Sequence, residues 1–246
     1  MRIVVAGGTG TVGRHTVGAV RAAGHDAVVL SRSRGVDLVT GEGLGHALAG
    51  ADAVIDVTSI ETRKASEAIE FFTAATGNLA AAAADAGVGH FVLLSIVGID
   101  RMPYDYYAGK IAQEKVVEAS RVPWTTLRAT QFHEFAAQMF RRAKLGPLHI
   151  ALKARTQPVA AREVGSRLAA LAAAPPQGRA RDLAGPREEQ LADMVRAYAR
   201  REGYRGWVPT LNVPGPQMAG MRAGLGLPGP DAELGSQSFA EWLAAD

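Results

Sequence analysis

Tyr106 and Lys110 stand four residues apart in a Tyr-x-x-x-Lys pattern, which places both side chains on one face of a helix. A phenol ordinarily has a pKa of about 10, and a neighbouring ammonium lowers it by favouring the phenolate. Such a pair suits proton transfer to a carbonyl oxygen that is being reduced. Ser95, eleven residues upstream, would hold the same oxygen through its hydroxyl. Tyr104 and Tyr107 leave the register open, and Tyr106 is preferred because it alone lies four residues from Lys110.

A glycine-rich turn near the start of the chain, GGTGTVG at 7–13, follows an apolar run at 3–6 and precedes a helical pattern at 12–23. Its glycines fit both G-x-G-x-x-G, from Gly8, and G-x-x-G-x-x-G, from Gly7. Glycines let the turn be tight and let backbone N–H groups approach a pyrophosphate, which the helix N-terminus attracts. We therefore predict a dinucleotide site at this turn. Its cofactor contacts are expected at Gly7, Thr9, Gly10, Thr11, Val12 and Gly13.

The residues after the second predicted strand indicate which nicotinamide cofactor fits. NAD sites place a carboxylate about 20 residues beyond the glycines, where it accepts from the ribose 2′-hydroxyl, whereas a basic residue there accommodates a 2′-phosphate. Here Arg32 stands between two serines, and the first carboxylate is Asp37. The sequence therefore favours NADP(H) over NAD(H), with Arg32 facing the phosphate and Arg34 or Arg14 as second choices.

Strands alternate with helices over the first part of the chain. The apolar runs typical of buried parallel strands lie at 3–6, 26–31, 53–58, 90–95 and 124–129. This alternation predicts an α/β fold, a doubly wound parallel sheet of the Rossmann type, with ligands at the carboxyl ends of its strands. Thr58 and Ser59 would then border the adenosine side of the crevice, and Lys110 would reach the nicotinamide ribose.

The alternation weakens after about residue 145. We therefore divide the chain into an NAD(P)-binding Rossmann core at 1–145 and a small C-terminal region at 146–246, packed on the same domain and lining the substrate pocket. Residues 206–236 are dense in glycine and proline and give no clear prediction.

Helices are predicted in the C-terminal region at 162–174, 188–201 and 239–243. The last of these would bury Phe239 and Trp242. Trp124 and Trp207 are also expected in the core.

Gln131, Phe132 and His133 follow the fifth strand, where a substrate crevice would open. Gln131 and His133 would hydrogen-bond a substrate oxygen, and Phe132 would pack on a flat ring. The alternative is the start of a helix, with Phe132 and Phe135 in the core.

The composition narrows the remaining classes of function. With 48% apolar and 21% charged residues among 246, the chain suits a globular domain. A net charge of +3 without long runs of Lys or Arg predicts no nucleic-acid partner. Without cysteine or paired histidines at ligand spacing, we expect no metal. A strand at the very start and the lack of long apolar runs predict no signal peptide, no membrane span and a cytoplasmic location.

The glycine turn, Ser95, Tyr106, Lys110 and the stretch PWTTLRATQFH at 123–133 together resemble the atypical short-chain dehydrogenase/reductase superfamily. Within it, the likeness is to the NmrA-like, NAD(P)H-binding group and covers residues 1–200. The resemblance implies a Rossmann domain that binds NADP(H) and a variable C-terminal substrate region. It also implies cofactor or chemical roles for Gly7, Gly10, Gly13, Arg32, Thr58, Lys110, Ser95 and Tyr106.

The resulting prediction is an NADPH-dependent oxidoreductase that transfers hydride to a small or medium apolar carbonyl or quinone-like acceptor, with Tyr106 as proton donor. The alternative is a non-catalytic NADP(H)-sensing regulator, since the group includes regulators that lack the active tyrosine. The Tyr-x-x-x-Lys pattern of this chain argues against that alternative. A third hypothesis is a lyase or epimerase that retains its cofactor. The expected partner is a small-molecule substrate, and the alanine-rich helices would suit a homo-oligomer interface as well as they suit core packing.

Overall fold

The computed structural model describes residues 1–146 and 148–245, and within them eight parallel strands form one sheet with helices on both faces. The strands are β1 (Arg2–Ala6), β2 (Asp26–Leu30), β3 (Ala53–Asp56), β4 (His90–Ile96), β5 (Trp124–Ala129), β6 (Lys144–Leu145), β7 (Leu148–His149), β8 (Ala151–Leu152), β9 (Arg155–Thr156), β10 (Gly178–Arg179), β11 (Leu183–Ala184), β12 (Glu189–Gln190), β13 (Thr210–Leu211) and β14 (Glu233–Leu234). The helices are α1 (Thr11–Ala22), α2 (Leu44–Leu48), α3 (Ala65–Asp85), α4 (Asp105–Glu118), α5 (Glu134–Arg142), α6 (Ala161–Ala172), α7 (Leu191–Arg201), α8 (Pro216–Arg222) and α9 (Phe239–Ala245).

The main sheet has the order β14-β11-β5-β4-β3-β1-β2, and β10 pairs with β5 beside β11. The direction in which successive strands are added reverses between β1 and β3, so helices leave these two strands on opposite faces. A crevice therefore opens where their carboxyl ends meet. The predicted doubly wound parallel sheet is confirmed.

Alternate residues of the central strands are buried in two separate cores. On β1, Ile3 and Val5 belong to a core shared with α1 and α6, whereas Val4 and Ala6 belong to a core shared with α2 and α3. Because helices cover both faces, these strands read as unbroken apolar runs rather than alternating ones. No helix in the described part of the chain has the length and apolar character that a membrane span requires.

Helices α3 and α4 cross at close range through two small residues. A Cβ atom added at Gly109 on α4 would lie 2.6 Å from the Cβ and 2.7 Å from the carbonyl carbon of Ala68 on α3. The alanine-rich composition of α3 thus allows α4, which carries Tyr106 and Lys110, to pack directly against it.

The chain after residue 145 contributes to two different parts of the molecule. Helix α6 packs on α1, and β10, β11 and β14 extend the main sheet. A further core joins α5, α7, α8 and α9, where Phe239 and Trp242 are buried as predicted. The helix predicted at 188–201 begins only at Leu191, because Glu189 and Gln190 pair with β9 instead.

The prediction that Trp207 lies in the core is wrong, since 73% of this residue is exposed. It lies in the connection between α7 and β13, which has no regular structure and therefore no apolar face that would cover the indole. Trp124 is half-buried and packs against the core on the α3 side, close to the expectation.

We predict that Gly109→Ala destabilises the fold by about 1–3 kcal/mol, because the new methyl group would overlap the backbone of Ala68. Gly77→Ala is the matched control. Gly77 lies within α3 with no atom within 4 Å of an added Cβ, so its substitution is expected to be neutral or to stabilise by up to about 1 kcal/mol. Urea unfolding would measure both, and equal midpoints for the two variants would contradict the close crossing.

Candidate active site

The glycine turn between β1 and α1 has no room for side chains. Gly7 has φ +78°, and a Cβ there would lie 2.8 Å from the Val57 carbonyl oxygen, while one at Gly13 would lie 2.1 Å from the Gly7 oxygen. Gly10 caps α1 and donates its N–H to the Gly7 carbonyl at 3.0 Å. The first turn of α1 contains no acidic residue, so its N-terminus is electrostatically suited to a phosphate. This cradle fits the pyrophosphate of a dinucleotide.

The other residues predicted at the turn differ in exposure. Thr9 is exposed and Thr11 is half-buried, so either hydroxyl is accessible to a ligand. Val12 is buried in the core shared with α1 and α6, so that only its backbone would face a phosphate. Arg14 donates to the Thr9 carbonyl at 3.3 Å and lies over the turn.

The segment after β2 presents cations and hydroxyls to solvent. Arg32 is exposed and has no ion-pair partner among the described residues, and the Ser31 and Ser33 hydroxyls are 3.0 Å apart. The first carboxylate, Asp37, accepts the N–H groups of Val39 and Thr40 at 2.8 and 3.2 Å. Both contacts hold the Asp37 carboxylate within its own loop.

The carboxyl end of β3 is organised by Asp56, which is 1% exposed. Its Oδ1 accepts from the Thr58 backbone N–H at 2.9 Å and from the Thr58 hydroxyl at 2.6 Å. Its Oδ2 accepts from Thr76 Oγ1 at 2.8 Å and Gln113 Nε2 at 3.0 Å. The Thr58 hydroxyl, predicted to face the cofactor, therefore has its proton committed to Asp56.

Tyr106 meets Ser59, a contact that the sequence did not predict. The two hydroxyl oxygens are 2.9 Å apart, and the Tyr106 ring packs edge-on against Phe72 with centroids 5.5 Å apart. Burial raises the pKa of Tyr106, the Ser59 hydrogen bond opposes this, and the negative charge of Asp56 adds to it. The phenol therefore keeps its proton at neutral pH and is available as a proton donor. The only sequence signal for Ser59 was its place just after a strand.

Lys110 is held by the protein interior rather than by Tyr106. Its ammonium donates to the Leu94 carbonyl at 2.7 Å and to Gln113 Oε1, and lies 4.9 Å from the centroid of the Phe72 ring. Burial lowers its pKa to about 8, against the opposing effect of Asp56. The expected influence of Lys110 on Tyr106 is absent from the described contacts, because the lysine side chain is directed toward β4.

Ser95 on β4 is 2% exposed, and its hydroxyl has no hydrogen-bond partner among the described residues. Leaving a buried hydroxyl unpaired costs about 1–3 kcal/mol, so the group is suited to a ligand oxygen. Ser95 on β4 lies directly opposite Arg128 on β5 in the register of the sheet.

Arg128 fixes helix α4 to the sheet. Its guanidinium donates to both carboxylate oxygens of Glu114, at 2.7 and 2.5 Å, and to Asp100 at 3.0 Å. The Arg128 and Glu114 side chains are 7% and 8% exposed. Because α4 carries Tyr106 and Lys110, this buried ion pair ties their helix to β5. Arg128 was not among the predicted site residues, although a charged residue within a predicted central strand is uncommon enough to be a signal.

Of the three predicted substrate residues, Gln131 lies beside the tyrosines. Its Nε2 donates to the Tyr107 hydroxyl at 2.9 Å, and its Oε1 accepts from Thr156 at 2.9 Å. Burial raises the pKa of Tyr107 to about 12, so this second phenol is also neutral.

Phe132 and His133 face elsewhere. Phe132 packs against the core shared with α1 and α6. His133 is fully buried, contacts the rings of Phe239 and Trp242, and has its Nε2 3.0 Å from the Gln237 carbonyl oxygen. Burial lowers the pKa of His133 and keeps it neutral. Among residues 1–146 and 148–245, no three acidic or histidine side chains come together as metal ligands would.

Comparison with known proteins identifies the family. A family model described as NAD(P)H-binding matches residues 7–164, more than half of the 246 residues, so the chain belongs to this NAD(P)H-binding family. The predicted resemblance to NAD(P)H-binding dehydrogenases and reductases is confirmed. The site therefore belongs to a protein that takes a pyridine nucleotide.

A curated relative from Streptomyces griseus subsp. griseus, (4-alkanoyl-5-oxo-2,5-dihydrofuran-3-yl)methyl phosphate reductase, is 33% identical over 144 residues. That alignment covers 53% of this chain and about half, 48%, of the relative.

Two solved structures show the same fold. A short-chain dehydrogenase/reductase superfamily protein from Agrobacterium tumefaciens with bound NAD superposes with a TM-score of 0.69 and 18% identity, covering 100% of this chain and 95% of that one. An NADPH-dependent quinone oxidoreductase from Escherichia coli superposes with a TM-score of 0.68 and 15% identity, covering 99% and 98%.

We predict that Glu114→Gln lowers the free energy of unfolding by about 3 kcal/mol, because it leaves the buried Arg128 guanidinium without its bidentate partner. Glu67→Gln, which removes the exposed ion pair with Lys64 on α3, is the control and is expected to leave the unfolding midpoint unchanged. Urea unfolding followed by circular dichroism would compare the two. Equal effects would show that the Arg128 pair does not anchor α4.

Proposed function

We propose that the protein is an NADPH-dependent oxidoreductase that reduces a small or medium apolar carbonyl or quinone-like acceptor, with Tyr106 as the proton donor. The observation that carries the proposal is the contact of the Tyr106 hydroxyl with Ser59 at the carboxyl edge of the sheet, where burial raises the pKa of Tyr106. Family membership supports a nicotinamide cofactor, and the curated relative is itself a reductase.

The chain's own residues would bind, orient and protonate the acceptor. A bound reduced nicotinamide would supply the hydride. Tyr106 would donate its phenolic proton to the acceptor oxygen, and the unpaired Ser95 hydroxyl would donate a hydrogen bond to that same oxygen. The phenolate left on Tyr106 would accept a hydrogen bond from Ser59. A positioned general acid contributes roughly 10²–10⁴-fold to the rate.

The preference for NADPH rests on the segment after β2. Arg32 would place its planar guanidinium against a 2′-phosphate, and the neighbouring Ser31 and Ser33 hydroxyls would donate further hydrogen bonds. The first carboxylate after Arg32 is Asp37, whose Oδ1 is engaged by backbone N–H groups of its own loop.

One observation favours a second candidate, a non-catalytic NADP(H)-sensing regulator. The Lys110 ammonium contacts Gln113 and Leu94 instead of Tyr106, so the described contacts do not join the lysine to the phenol. A regulator would bind oxidised and reduced cofactor with different affinities. A pull-down would then recover a partner protein in one redox state alone. Equal affinities and no such partner would argue against it.

We predict that Tyr106→Phe lowers NADPH turnover with a panel of quinones, ketones and aldehydes by roughly 10²–10⁴-fold, while NADPH affinity stays nearly constant. The change removes the donated proton and keeps the ring against Phe72. Tyr104→Phe, at an exposed tyrosine just before α4, is the control, and Tyr107→Phe tests the neighbouring register. A Tyr106→Phe enzyme with unchanged turnover would rule out the assignment.

We predict that Arg32→Ala weakens NADPH binding by roughly 10- to 100-fold and leaves NADH binding unchanged, since a hydrogen-bonded charge on the 2′-phosphate is lost. Arg21→Ala, at the far end of α1, controls for net charge. Fluorescence titration with both cofactors would measure the affinities. If NADPH and NADH affinities fell equally, Arg32 would not read the phosphate.

A further inference from the structure

Four polar side chains from three elements are buried together beneath the candidate site. Asp56 lies at the end of β3, Thr76 on α3, and Gln113 and Lys110 on α4. None of the four is more than 4% exposed. We refer to them as the polar cluster.

The amide of Gln113 joins the two charged members of the polar cluster. Its Nε2 donates to Asp56 Oδ2 at 3.0 Å and to Thr76 Oγ1 at 2.9 Å, while its Oε1 accepts from the Lys110 ammonium. A carboxylate accepts and an ammonium donates, so only one orientation of the amide satisfies both neighbours. The contact to Lys110 therefore depends on the contact to Asp56.

The charges that face Lys110 come from each element packed around it. Asp56 approaches from β3, and Glu114 from α4 itself, with its carboxylate shared by Arg128 of β5. Tyr106, one turn earlier on α4, is neutral. Since Glu114 is already paired, Asp56 is the buried anion available to balance Lys110, and it reaches the lysine through Gln113. An unbalanced buried ammonium would lose its proton instead.

We propose that Gln113 is a positioning residue for Lys110, holding the ammonium charged and in place by linking it to the buried Asp56 carboxylate. The inference rests on the proposed function for what Lys110 does beside a bound dinucleotide. An ammonium has three N–H donors, and the contacts to Leu94 and Gln113 use two of them. The third is left for another acceptor, which a cofactor hydroxyl would provide.

The proposal fixes how activity depends on pH. If charged Lys110 is the active form, turnover falls as pH rises through the pKa of Lys110, which burial has lowered to about 8. A change that weakens the link to Asp56 without adding a negative charge beside Lys110 lowers this pKa further. The loss of turnover must then begin at a lower pH.

The direct test is nitrogen-15 NMR of the lysine ammonium groups in the cofactor-free protein as a function of pH. The chain has five lysines, and a Lys110→Met spectrum assigns the signal. Gln113→Met is expected to raise the acid dissociation constant of Lys110 by about tenfold or more, since a charged hydrogen bond is lost. Gln113→Glu retains an acceptor, so its Lys110 pKa is expected at or above that of the native protein. A Lys110 pKa that is unchanged in Gln113→Met, or lowered in Gln113→Glu, would overturn the proposal.

A matched control separates positioning from mere stability. Thr125→Val removes a buried hydroxyl on β5 that is 2.8 Å from His90 Nε2, outside the polar cluster. It is expected to lower stability without moving the Lys110 pKa or the alkaline loss of NADPH turnover. Should Gln113→Met not fold, Asp56→Asn replaces it, and a Lys110 pKa that did not fall in that variant would contradict the proposal.

The two proposals fail in different ways. Unchanged turnover in Tyr106→Phe would reject Tyr106 as the proton donor, and no turnover in the native protein would reject the reductase. The NMR titration needs neither turnover nor cofactor and tests Gln113 by itself. If Tyr106→Phe loses turnover while the Lys110 pKa is unchanged in Gln113→Met, the reductase proposal stands. The role of Gln113 as a positioning residue is then rejected.

Discussion

Burial of charge at the carboxyl edge of the sheet is the constraint on which the candidate site depends. A lysine, an aspartate and an Arg–Glu pair lie beneath α3 and α4, where desolvation makes each charge costly unless it is balanced. Balance is reached by contacts that cross between elements: Gln113 connects α4 to β3, and Glu114 connects α4 to β5. Helix α4 is therefore held from two sides through Gln113 and Glu114, and Tyr106 lies about two turns earlier on the same helix.

The groups that suit phosphate binding and those that suit an acceptor oxygen lie on different sides of the strand-order reversal. The turn after β1 and the segment after β2 present glycine backbone, hydroxyls and Arg32, which suit phosphates. The ends of β3 and β4 and the start of α4 present Ser59, Ser95 and Tyr106, which suit an acceptor oxygen. The chain after residue 129 closes the other side, where Gln131 joins Tyr107 to Thr156 of β9. One parallel sheet thus brings both sets to the same edge, because all its strands end there.

Membership in an NAD(P)H-binding family does not settle how the tyrosine and lysine are used. The solved structures share the fold at 15–18% identity, and one fold serves many different functions. In this chain Tyr106 contacts Ser59, and Lys110 donates to Gln113 within the polar cluster. A neutral Tyr106 and a Lys110 held within the polar cluster suit both proposed functions. In a reductase, Tyr106 would donate a proton and Lys110 would contact the bound dinucleotide. In a sensor, Lys110 would respond to dinucleotide binding.

The sequence alone determined the five longest strands and the glycine turn, because these depend on local patterns. Strand runs, the glycine spacing and the burial of Phe239 and Trp242 follow from residues close together in the chain, since the period of apolar residues fixes which face is covered. Trp207 was placed wrongly because it lies outside any periodic element.

Only the tertiary structure decided which side chains contact each other in and around the candidate site. Ser59 and Tyr106 are 47 residues apart, Asp56 and Gln113 are 57, and His133 and Gln237 are 104. The period of apolar residues predicts that a side chain is buried. The partner that satisfies its hydrogen bonds depends on how distant elements pack together, and no local pattern predicts that packing.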